Sequence, residues 1–299
     1  MAFNPSPQLI AEGNQRAIAR AITWVENQDP KGIALLEKLH GHAPVIGITG
    51  PPGAGKSSLV NALVLYWSSL GLKTAIVAVD PSSPFNLGSL LGDRLRMPGL
   101  FLDPKVYIRS MSARGSLGGL TASIIEVCDI LKHAQFDRII IETVGVGQSE
   151  IEIAGLADTT LVLTVPESGD EIQTLKSGVM EIADIFVVNK SDREGSDTFA
   201  NHLQKLSHQR STIDAWEIPV IKTIATRNEG IISLSEAINA HQKIAHLQGR
   251  HIHLLAEKVY RIVQRDKMKQ HSLLEIKDRI AQEIKNGDFN LYAFAKKYC

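Results

Sequence analysis

The sequence has few cysteines, few aromatic residues and no excess of charge of either sign. Its 299 residues include 2 cysteines, and 5% are aromatic. Cys128 and Cys299 cannot by themselves supply a disulfide framework or a zinc site. Lys and Arg total 32, and Asp and Glu also total 32, so the chain lacks the basic footprint of a nucleic-acid-binding protein. We therefore expect no nucleic-acid partner.

A membrane-spanning segment is also missing from the sequence. The mostly apolar, uncharged run from Ser57 to Leu72 has 16 residues and contains Asn and Ser, whereas a spanning helix needs about 20 apolar residues. The start of the chain shows no basic segment followed by an apolar one, as a secretion signal would. Hydrophobic residues make up 44% of the chain, which argues against disorder. We expect a cytoplasmic globular protein with no membrane partner.

Short apolar runs alternate with longer amphipathic stretches from residue 44 onward. Several runs are apolar on both faces, as parallel strands covered by helices on both sides must be. The alternation predicts an α/β fold with a mostly parallel sheet of about seven strands flanked by helices. The predicted strands are Val45–Thr49, Thr74–Val79, Val106–Ser110, Arg138–Glu142, Thr160–Val165, Ile185–Asn189 and Ile218–Thr223.

Helical patterns precede and follow these strands. Apolar residues recur at helical spacing near the N-terminus, Asp29-Pro30 interrupts them, and a second short helix is predicted from Ile33 to Leu39. No strand pattern remains after about residue 231, and residues 250–299 carry 11 Lys or Arg against 6 Asp or Glu. We predict an N-terminal helical extension (1–43), an α/β domain (44–245) and a C-terminal helical arm (246–299).

The first predicted strand leads into a phosphate-binding pattern. Residues 50–57 read G-P-P-G-A-G-K-S, which fits the P-loop pattern G-x-x-x-x-G-K-[ST] between a strand and a helix. The glycines let backbone N–H groups wrap a phosphate chain, and the helix that starts near Lys56 adds its positive end. Lys56 is predicted to neutralise the β- and γ-phosphates, and the Ser57 hydroxyl to bind Mg²⁺. The predicted phosphate-binding residues are Gly53, Ala54, Gly55, Lys56, Ser57 and Ser58.

Acidic residues at the ends of other strands are candidate metal ligands. The strand Arg138–Glu142 continues as Glu142-Thr143-Val144-Gly145. A carboxylate at this place can hold Mg²⁺ directly or through water, and the Gly145 N–H can contact the γ-phosphate. Asp80 follows the second strand and Asp93 lies in the long loop after it, where a switch loop is expected. Both are candidate Mg²⁺ or water ligands, although each residue type is also common in turns and helix caps.

The sixth predicted strand runs into Asn189-Lys190-Ser191-Asp192, the N-K-x-D pattern that reads guanine. The Asp192 carboxylate can accept from guanine N1–H and N2–H₂ together, whereas adenine offers neither donor there. We predict that Lys190 lies along the base and that Asn189 ties the surrounding loops together. The Ala225 N–H is a candidate donor to guanine O6, although Ile224 stands where the usual S-A-x loop has Ser.

These motifs together resemble the MeaB/ArgK family of P-loop GTPases, in the SIMIBI group. The resemblance covers residues from about 8 to 245. The matching stretches are 47–57 (GITGPPGAGKS), 79–83 (VDPSS), 91–93 (LGD), 114–120 (RGSLGGL), 142–150 (ETVGVGQSE), 169–173 (GDEIQ) and 180–190 (MEIADIFVVNK).

The resemblance implies a GTPase that looks after an adenosylcobalamin-dependent acyl-CoA mutase, mainly methylmalonyl-CoA mutase. Such proteins gate cofactor delivery and use GTP binding and hydrolysis, with GTP or GDP as the bound nucleotide. They are typically homodimers, so the C-terminal arm is expected to dimerise. The implied Mg²⁺ and water shell consists of Ser57, Asp80, Asp93 and Glu142.

The resemblance also implies a third switch at residues 169–178, which includes Lys176 and responds to the partner. Lys176 is a candidate for bringing positive charge to the γ-phosphate, as an arginine finger does; a solvated helix lysine is the alternative. Gln148 is a weaker candidate for positioning water. It lies three residues after Gly145, which is not the position of the usual catalytic glutamine. The predicted catalytic residues are Lys56, Glu142 and Lys176, with slow intrinsic turnover that a partner accelerates.

Two other functions remain open from the residues alone. One is a nucleotide-dependent kinase of a basic amino-acid transport system, a label that some relatives have carried. A kinase would more naturally use ATP, and Asn189-Lys190-Ser191-Asp192 argues against it. The other is a binding module that responds to nucleotide without hydrolysing it.

Overall fold

The computed structural model describes residues 3–80, 97, 99–112, 123–143, 152–166, 179–210, 216–247, 250–268, 273–285, 291–295 and 297. The chain divides into two compact units, Met1–His251 and Ile252–Cys299. Across these described segments, we find no helix with both the length and the apolar character that crossing a bilayer requires.

Three short helices precede the sheet: α1 (Pro7–Ala11), α2 (Gln15–Glu26) and α3 (Pro30–Leu36). The Asp29 side chain caps α3 by accepting from the Lys31 N–H at 2.9 Å. The predicted bounds Ile33 to Leu39 were wrong at both ends. Asp29-Pro30 separates α2 from α3 but also starts α3, because a proline fits the first helical turn, where its missing N–H costs nothing.

A parallel sheet forms the centre of the first unit, as the sequence predicts. It has seven strands in the order β3-β2-β4-β1-β5-β6-β7, and every pairing is parallel. The predicted strand positions are confirmed, with shifts of one or two residues at some ends. The strands are β1 (Val45–Thr49), β2 (Thr74–Asp80), β3 (Val106–Ser112), β4 (Arg138–Glu142), β5 (Thr159–Thr164), β6 (Ile185–Asn189) and β7 (Val220–Thr223).

Helices cover both faces of this sheet, which explains the strands that are apolar on both sides. On β4, Ile139 and Ile141 pack into the core that α2 shares, whereas Ile140 packs into the core on the opposite face. In the described residues, the α-helices between and after the strands are α4 (Lys56–Ser69), α5 (Ile124–His133), α6 (Val179–Ile182), α7 (Ser196–Arg210) and α8 (Ile231–Leu247).

The sheet order places a crevice beside the carboxyl end of β1. The connection after β1 runs to β2, on the β4 side of β1, whereas the connection after β4 passes to β5, on the other side of β1. Open α/β sheets bind ligands at such a switch point, outside the carboxyl ends of the strands. The loop that follows β1 is residues 50–55, the first part of the P-loop pattern.

Helix α4 is fixed at the end farthest from this loop. Trp67 is fully buried, and its indole N–H donates to the Ser235 hydroxyl of α8 at 2.8 Å. The Arg138 guanidinium lies 4.5 Å from the Trp67 ring centroid and donates to the Asn239 side-chain oxygen at 2.7 Å. These contacts join the C-terminal part of α4 to β4 and α8.

The second unit is helical in its described segments. Helix α9 (Arg250–Met268) begins just before it, and α10 (Leu273–Lys285) and α11 (Leu291–Ala295) follow. Helix α9 exposes several apolar side chains at helical spacing: Leu255, Val259, Ile262 and Val263. Adjoining exposed apolar side chains of this kind, unlike singly scattered ones, often mark an interaction surface.

Candidate functional site

The loop after β1 presents backbone amides at the start of α4. Gly55 precedes Lys56, the first residue of α4, and no side chain caps this helix end. The first N–H groups of an α-helix lack intrahelical partners and carry the positive end of its dipole, so this end suits an anion. Gly50 has φ +145°, and a Cβ there would lie 2.3 Å from the Leu163 carbonyl oxygen. Only glycine therefore fits at this position, where the loop leaves β1 in close contact with the backbone of β5.

Lys56 lies folded across the phosphate loop. Its Nζ donates to the Gly50 carbonyl oxygen at 2.7 Å and to the Pro51 carbonyl oxygen at 3.1 Å. The residue is buried, at 7% exposure. A buried ammonium is a strong electrostatic partner for phosphate oxygens, because less water screens it than at the surface. The phosphate-neutralising role of Lys56 stays a prediction.

The structure brings together Ser57 and Glu142, although 85 residues separate them in sequence. The Ser57 hydroxyl donates to the Glu142 carboxylate at 2.6 Å, and Glu142 is buried at the end of β4. A hydroxyl that donates its one proton keeps its lone pairs for a cation. Serine hydroxyl and carboxylate oxygens are ligands that Mg²⁺ prefers, so the two residues fit the predicted metal role.

Among the described residues, Ser57 and Glu142 supply two of the oxygens that such a metal site needs. Among the described residues, no group of three or more His, Cys, Asp and Glu side chains is arranged to hold a metal ion. Mg²⁺ commonly keeps several waters and takes one or two carboxylates plus substrate phosphates. The pair Ser57 and Glu142 is compatible with a Mg²⁺ ion that also binds nucleotide phosphates.

Several predicted residues lie outside the described parts of the chain: Asp93, Gly145, Gln148 and Lys176. The backbone of Asp80 is described, and Asp80 is the last residue of β2. Strand β2 pairs with β4 such that Ala78 lies opposite Glu142, so Asp80 reaches the same edge of the sheet. The roles predicted for these five residues stay predictions.

Asn189, at the carboxyl end of β6, connects three loops. Its side-chain amide donates to the Ala54 carbonyl oxygen at 2.8 Å, inside the phosphate loop. Its side-chain oxygen accepts from the Thr223 hydroxyl at 3.1 Å and from the Ala225 N–H at 3.2 Å. Asn189 is buried, at 2% exposure, and each such bond contributes about 1 kcal/mol net. The sequence predicted a loop-connecting role for Asn189, and these contacts agree with it.

The neighbouring residues of the N-K-x-D segment surround the same crevice. Lys190 has a left-handed backbone (φ +57°), and its Nζ donates to the Gly53 carbonyl oxygen at 2.7 Å. Asp192 is half-exposed and pairs with Arg227, whose Nη2 lies 3.6 Å from the Asp192 Oδ2. The Ala225 N–H is engaged by Asn189, so a contact with guanine O6 would require this hydrogen to be shared.

Sequence reasoning missed Arg227 as part of the site. It is the last residue of the 3₁₀ turn Ala225–Arg227, in the loop that follows β7. No spacing pattern links positions 192 and 227, which meet only because the loops after β6 and β7 lie side by side. The only related signal in the sequence was Ile224 at the usual serine position, and it did not point to Arg227.

Comparison with protein families gives one match across most of the chain. A family model described as methylmalonyl Co-A mutase-associated GTPase MeaB matches residues 18–282. A Pyrococcus horikoshii protein named as a GTPase is 42% identical over 305 residues, covering 96% of this chain and 94% of its own length. A Caenorhabditis briggsae protein named methylmalonic aciduria type A homolog, mitochondrial, is 36% identical, covering 77% of this chain and 61% of its own length.

Comparison with solved structures supports the fold. A crystal structure of a LAO/AO transport system kinase superposes with a TM-score of 0.70 at 24% identity, covering 98% of this chain and 94% of that one. At this identity the likeness concerns architecture, and the word kinase in that protein's name says nothing about the reaction catalysed by this chain.

Proposed function

The chain belongs to the MeaB family of GTPases, and we propose that it uses GTP to gate cofactor loading and protection of an adenosylcobalamin-dependent acyl-CoA mutase. We propose methylmalonyl-CoA mutase as the partner and the cytoplasm as the place where the chain acts. One observation carries the nucleotide part of this proposal. Asn189 bonds both the phosphate loop, at Ala54, and the loop that holds Ala225, so the residues suited to phosphate and to guanine line one crevice.

The chemistry available at this crevice is binding and positioning. The N–H groups at the start of α4 and the Lys56 ammonium would hold the β- and γ-phosphates, and the Asp192 carboxylate would read the base. Ser57 and Glu142, with Asp80 and Asp93, would hold Mg²⁺, which supplies positive charge at the phosphate oxygens. Lys56 would stabilise the negative charge that develops as the bond to the leaving phosphate oxygen breaks.

The arrangement of Glu142 supports slow intrinsic hydrolysis. Its carboxylate accepts a 2.6 Å bond from Ser57, so it is committed to the metal side of the site and is poorly placed to deprotonate an attacking water. We propose that the segment 169–178, with Lys176, completes the catalytic arrangement when the mutase binds. Gln148 is the second candidate for positioning the water.

The decisive measurement is phosphate release from GTP by the full chain, alone and with purified methylmalonyl-CoA mutase from the same source. We expect slow release from the chain alone and a several-fold or greater increase on adding the mutase, because a partner-completed site stabilises the transition state better. Heat-denatured mutase serves as the control and should leave the rate unchanged.

The two parts of the proposal fail in different ways. Release that stays at the level of a blank with and without mutase would reject GTP hydrolysis. A slow rate that native mutase leaves unchanged would keep the GTPase activity but reject this mutase as the stimulating partner. Fast release from the chain alone would contradict the partner-dependent mechanism.

We also propose that the chain forms a homodimer through its C-terminal arm. The exposed apolar stripe on α9 supports this, because Leu255, Val259, Ile262 and Val263 are 45%, 59%, 38% and 47% exposed. Burying such a stripe in an interface stabilises the dimer by about 25 cal/mol for each Å² of apolar surface removed from water. A second copy of the chain brings an identical stripe, as a two-fold interface requires.

Substituting Val259→Asp is expected to convert the dimer to a monomer, measured as a halved mass by light scattering during size exclusion. A buried carboxylate without a partner would oppose association strongly. The matched control is Gln264→Asp, which adds the same charge at an exposed polar position of α9 and should leave the mass unchanged. A monomeric wild-type chain, or dimers in both variants, would contradict this proposal.

A further inference from the structure

Arg227 is the residue of the base site that no motif assigns. Its guanidinium Nη2 lies 3.6 Å from the Asp192 Oδ2, and the two side chains are 61% and 39% exposed. Asp192 belongs to the loop after β6 and Arg227 to the loop after β7. The Ser191 N–H donates to the Thr223 carbonyl oxygen at 3.1 Å, which keeps the two loops side by side.

The backbone around Arg227 is held in a closed turn. The Arg227 N–H donates to the Ile224 carbonyl oxygen at 2.9 Å. Asn228 follows in a left-handed conformation (φ +59°), and the Ile224 N–H donates to the Glu229 carbonyl oxygen at 3.1 Å. A turn closed by these bonds places the Cα of Arg227 reproducibly, so the side chain reaches Asp192 without ordering a flexible loop first.

Ile224 cannot donate to the Asp192 carboxylate, which leaves the orienting of that carboxylate to another residue. It stands where a serine is common in loops of this kind, and it is buried, at 9% exposure. A serine hydroxyl can donate to a neighbouring carboxylate, whereas an isoleucine side chain has no donor. Without a donor at position 224, the Asp192 carboxylate needs another group to fix its orientation toward the base.

We propose that Arg227 is a positioning residue for guanine recognition, which orients the Asp192 carboxylate so that it accepts from N1–H and N2–H₂ of the base together. This inference rests on the proposed guanine nucleotide site. Arg227, three residues further along the loop, thus places a positive charge beside the Asp192 carboxylate, where Ile224 has no donor. The interaction acts through Asp192 and requires no direct contact between Arg227 and the nucleotide.

The ion pair has little effect on folding and a larger effect on binding. Two exposed charges in water attract each other weakly, and salt screens them. A planar base that packs against Asp192 displaces water from the carboxylate, and the lower local dielectric strengthens the same attraction. Removing Arg227 should therefore weaken guanine nucleotide binding without lowering the thermal stability of the chain.

The selectivity between guanine and hypoxanthine distinguishes positioning from simple charge attraction. Hypoxanthine keeps N1–H but lacks the 2-amino group, so it offers Asp192 one donor instead of two. An oriented carboxylate accepts well-aligned hydrogen bonds from both N1–H and the 2-amino group, and both strengthen binding. A loosely held carboxylate gains less binding free energy from the 2-amino group. Loss of orientation should therefore reduce the preference for GDP over IDP, while loss of a distant positive charge should weaken both alike.

The experiment measures dissociation constants for GDP and IDP by displacement of a fluorescent GDP analogue from the full chain. In Arg227→Ala we expect GDP affinity to fall about 10-fold and the GDP-to-IDP preference to fall at least about 3-fold. Arg227→Lys should recover part of the preference, and the melting temperature should stay within error of wild type. The matched control is Arg193→Ala, which removes an equal charge one residue from Asp192 and should leave the preference unchanged.

The outcomes separate this inference from the proposed function. An Arg227→Ala variant with the wild-type GDP-to-IDP preference, or an equal loss of preference in Arg193→Ala, overturns the positioning role while leaving the guanine site intact. A wild-type chain that binds ADP as well as GDP overturns the guanine site itself, and with it this inference.

Discussion

Replacing Lys56 with alanine is expected to reduce GTP hydrolysis by about 10²-fold or more, because one preorganised positive charge is removed from the phosphates. The ammonium lies buried over the loop, where it donates to the Gly50 and Pro51 carbonyl oxygens. Part of the loss should appear as weaker GTP binding, since the same charge holds the ground-state phosphates. Phosphate release and competition with a fluorescent GTP analogue measure the two parts separately.

The chain offers a matched control for Lys56 at the other end of α4. Lys105 Nζ donates to the Ser68 carbonyl oxygen at 2.9 Å, so it too is a lysine that bonds a backbone carbonyl. Lys105→Ala should leave hydrolysis unchanged and cost at most a small amount of stability. If Lys56→Ala retained hydrolysis within a few-fold of wild type, or if Lys105→Ala lost as much, the phosphate site at this loop would be rejected.

Replacing Asp192 with asparagine is expected to change the base that the site accepts. The substitution removes the double acceptor that guanine N1–H and N2–H₂ require, so GTP affinity should fall by about 10³-fold or more. Xanthine carries an oxygen in place of the 2-amino group, and the asparagine amide can donate to it. Binding of xanthosine triphosphate should therefore improve in the variant, measured by competition against the same fluorescent analogue.

Asp197→Asn tests whether a nearby charge alone has this effect. Asp197 is exposed in the first turn of α7 and pairs with Lys222, so its variant loses one carboxylate close to the base loop. GTP and xanthosine triphosphate should bind it as they bind the wild type. Wild-type binding of GTP to Asp192→Asn would contradict guanine reading by this residue, and equal competition by ATP and GTP in the wild type would favour a kinase-like site.

The parts of the site that could be predicted are those whose residues are close together in sequence. The phosphate loop follows from the spacing of Gly50, Gly55 and Lys56, and the helix begins at Lys56 as expected. Two-sided apolar runs predicted the parallel sheet, because β4 buries Ile139 and Ile140 on opposite faces. Local rules decide these features, so one sequence contains enough information for them.

Contacts between distant loops were harder to predict, because the strand order brings them together. The pair of Asp192 and Arg227 depends on β6 and β7 being neighbours, which no local pattern states. The hydrogen bond from the Ala225 N–H to Asn189 also arises there, and it occupies a donor that the sequence assigned to the base. The first turn of α3 differed for a local reason, since Pro30 both interrupts one helix and starts the next.

The close packing of Gly55 against Asn189 constrains how such a protein can be redesigned or can diverge. A Cβ at Gly55 would lie 2.4 Å from the Asn189 Nδ2, and that same nitrogen donates to the Ala54 carbonyl oxygen. A base-recognition loop transplanted from another nucleotide-binding protein would have to reproduce this contact. Otherwise the phosphate loop would lose the hydrogen bond that holds Ala54 in place. The exchangeable unit is therefore the two loops together, even though Gly55 and Asn189 lie 134 positions apart in the chain.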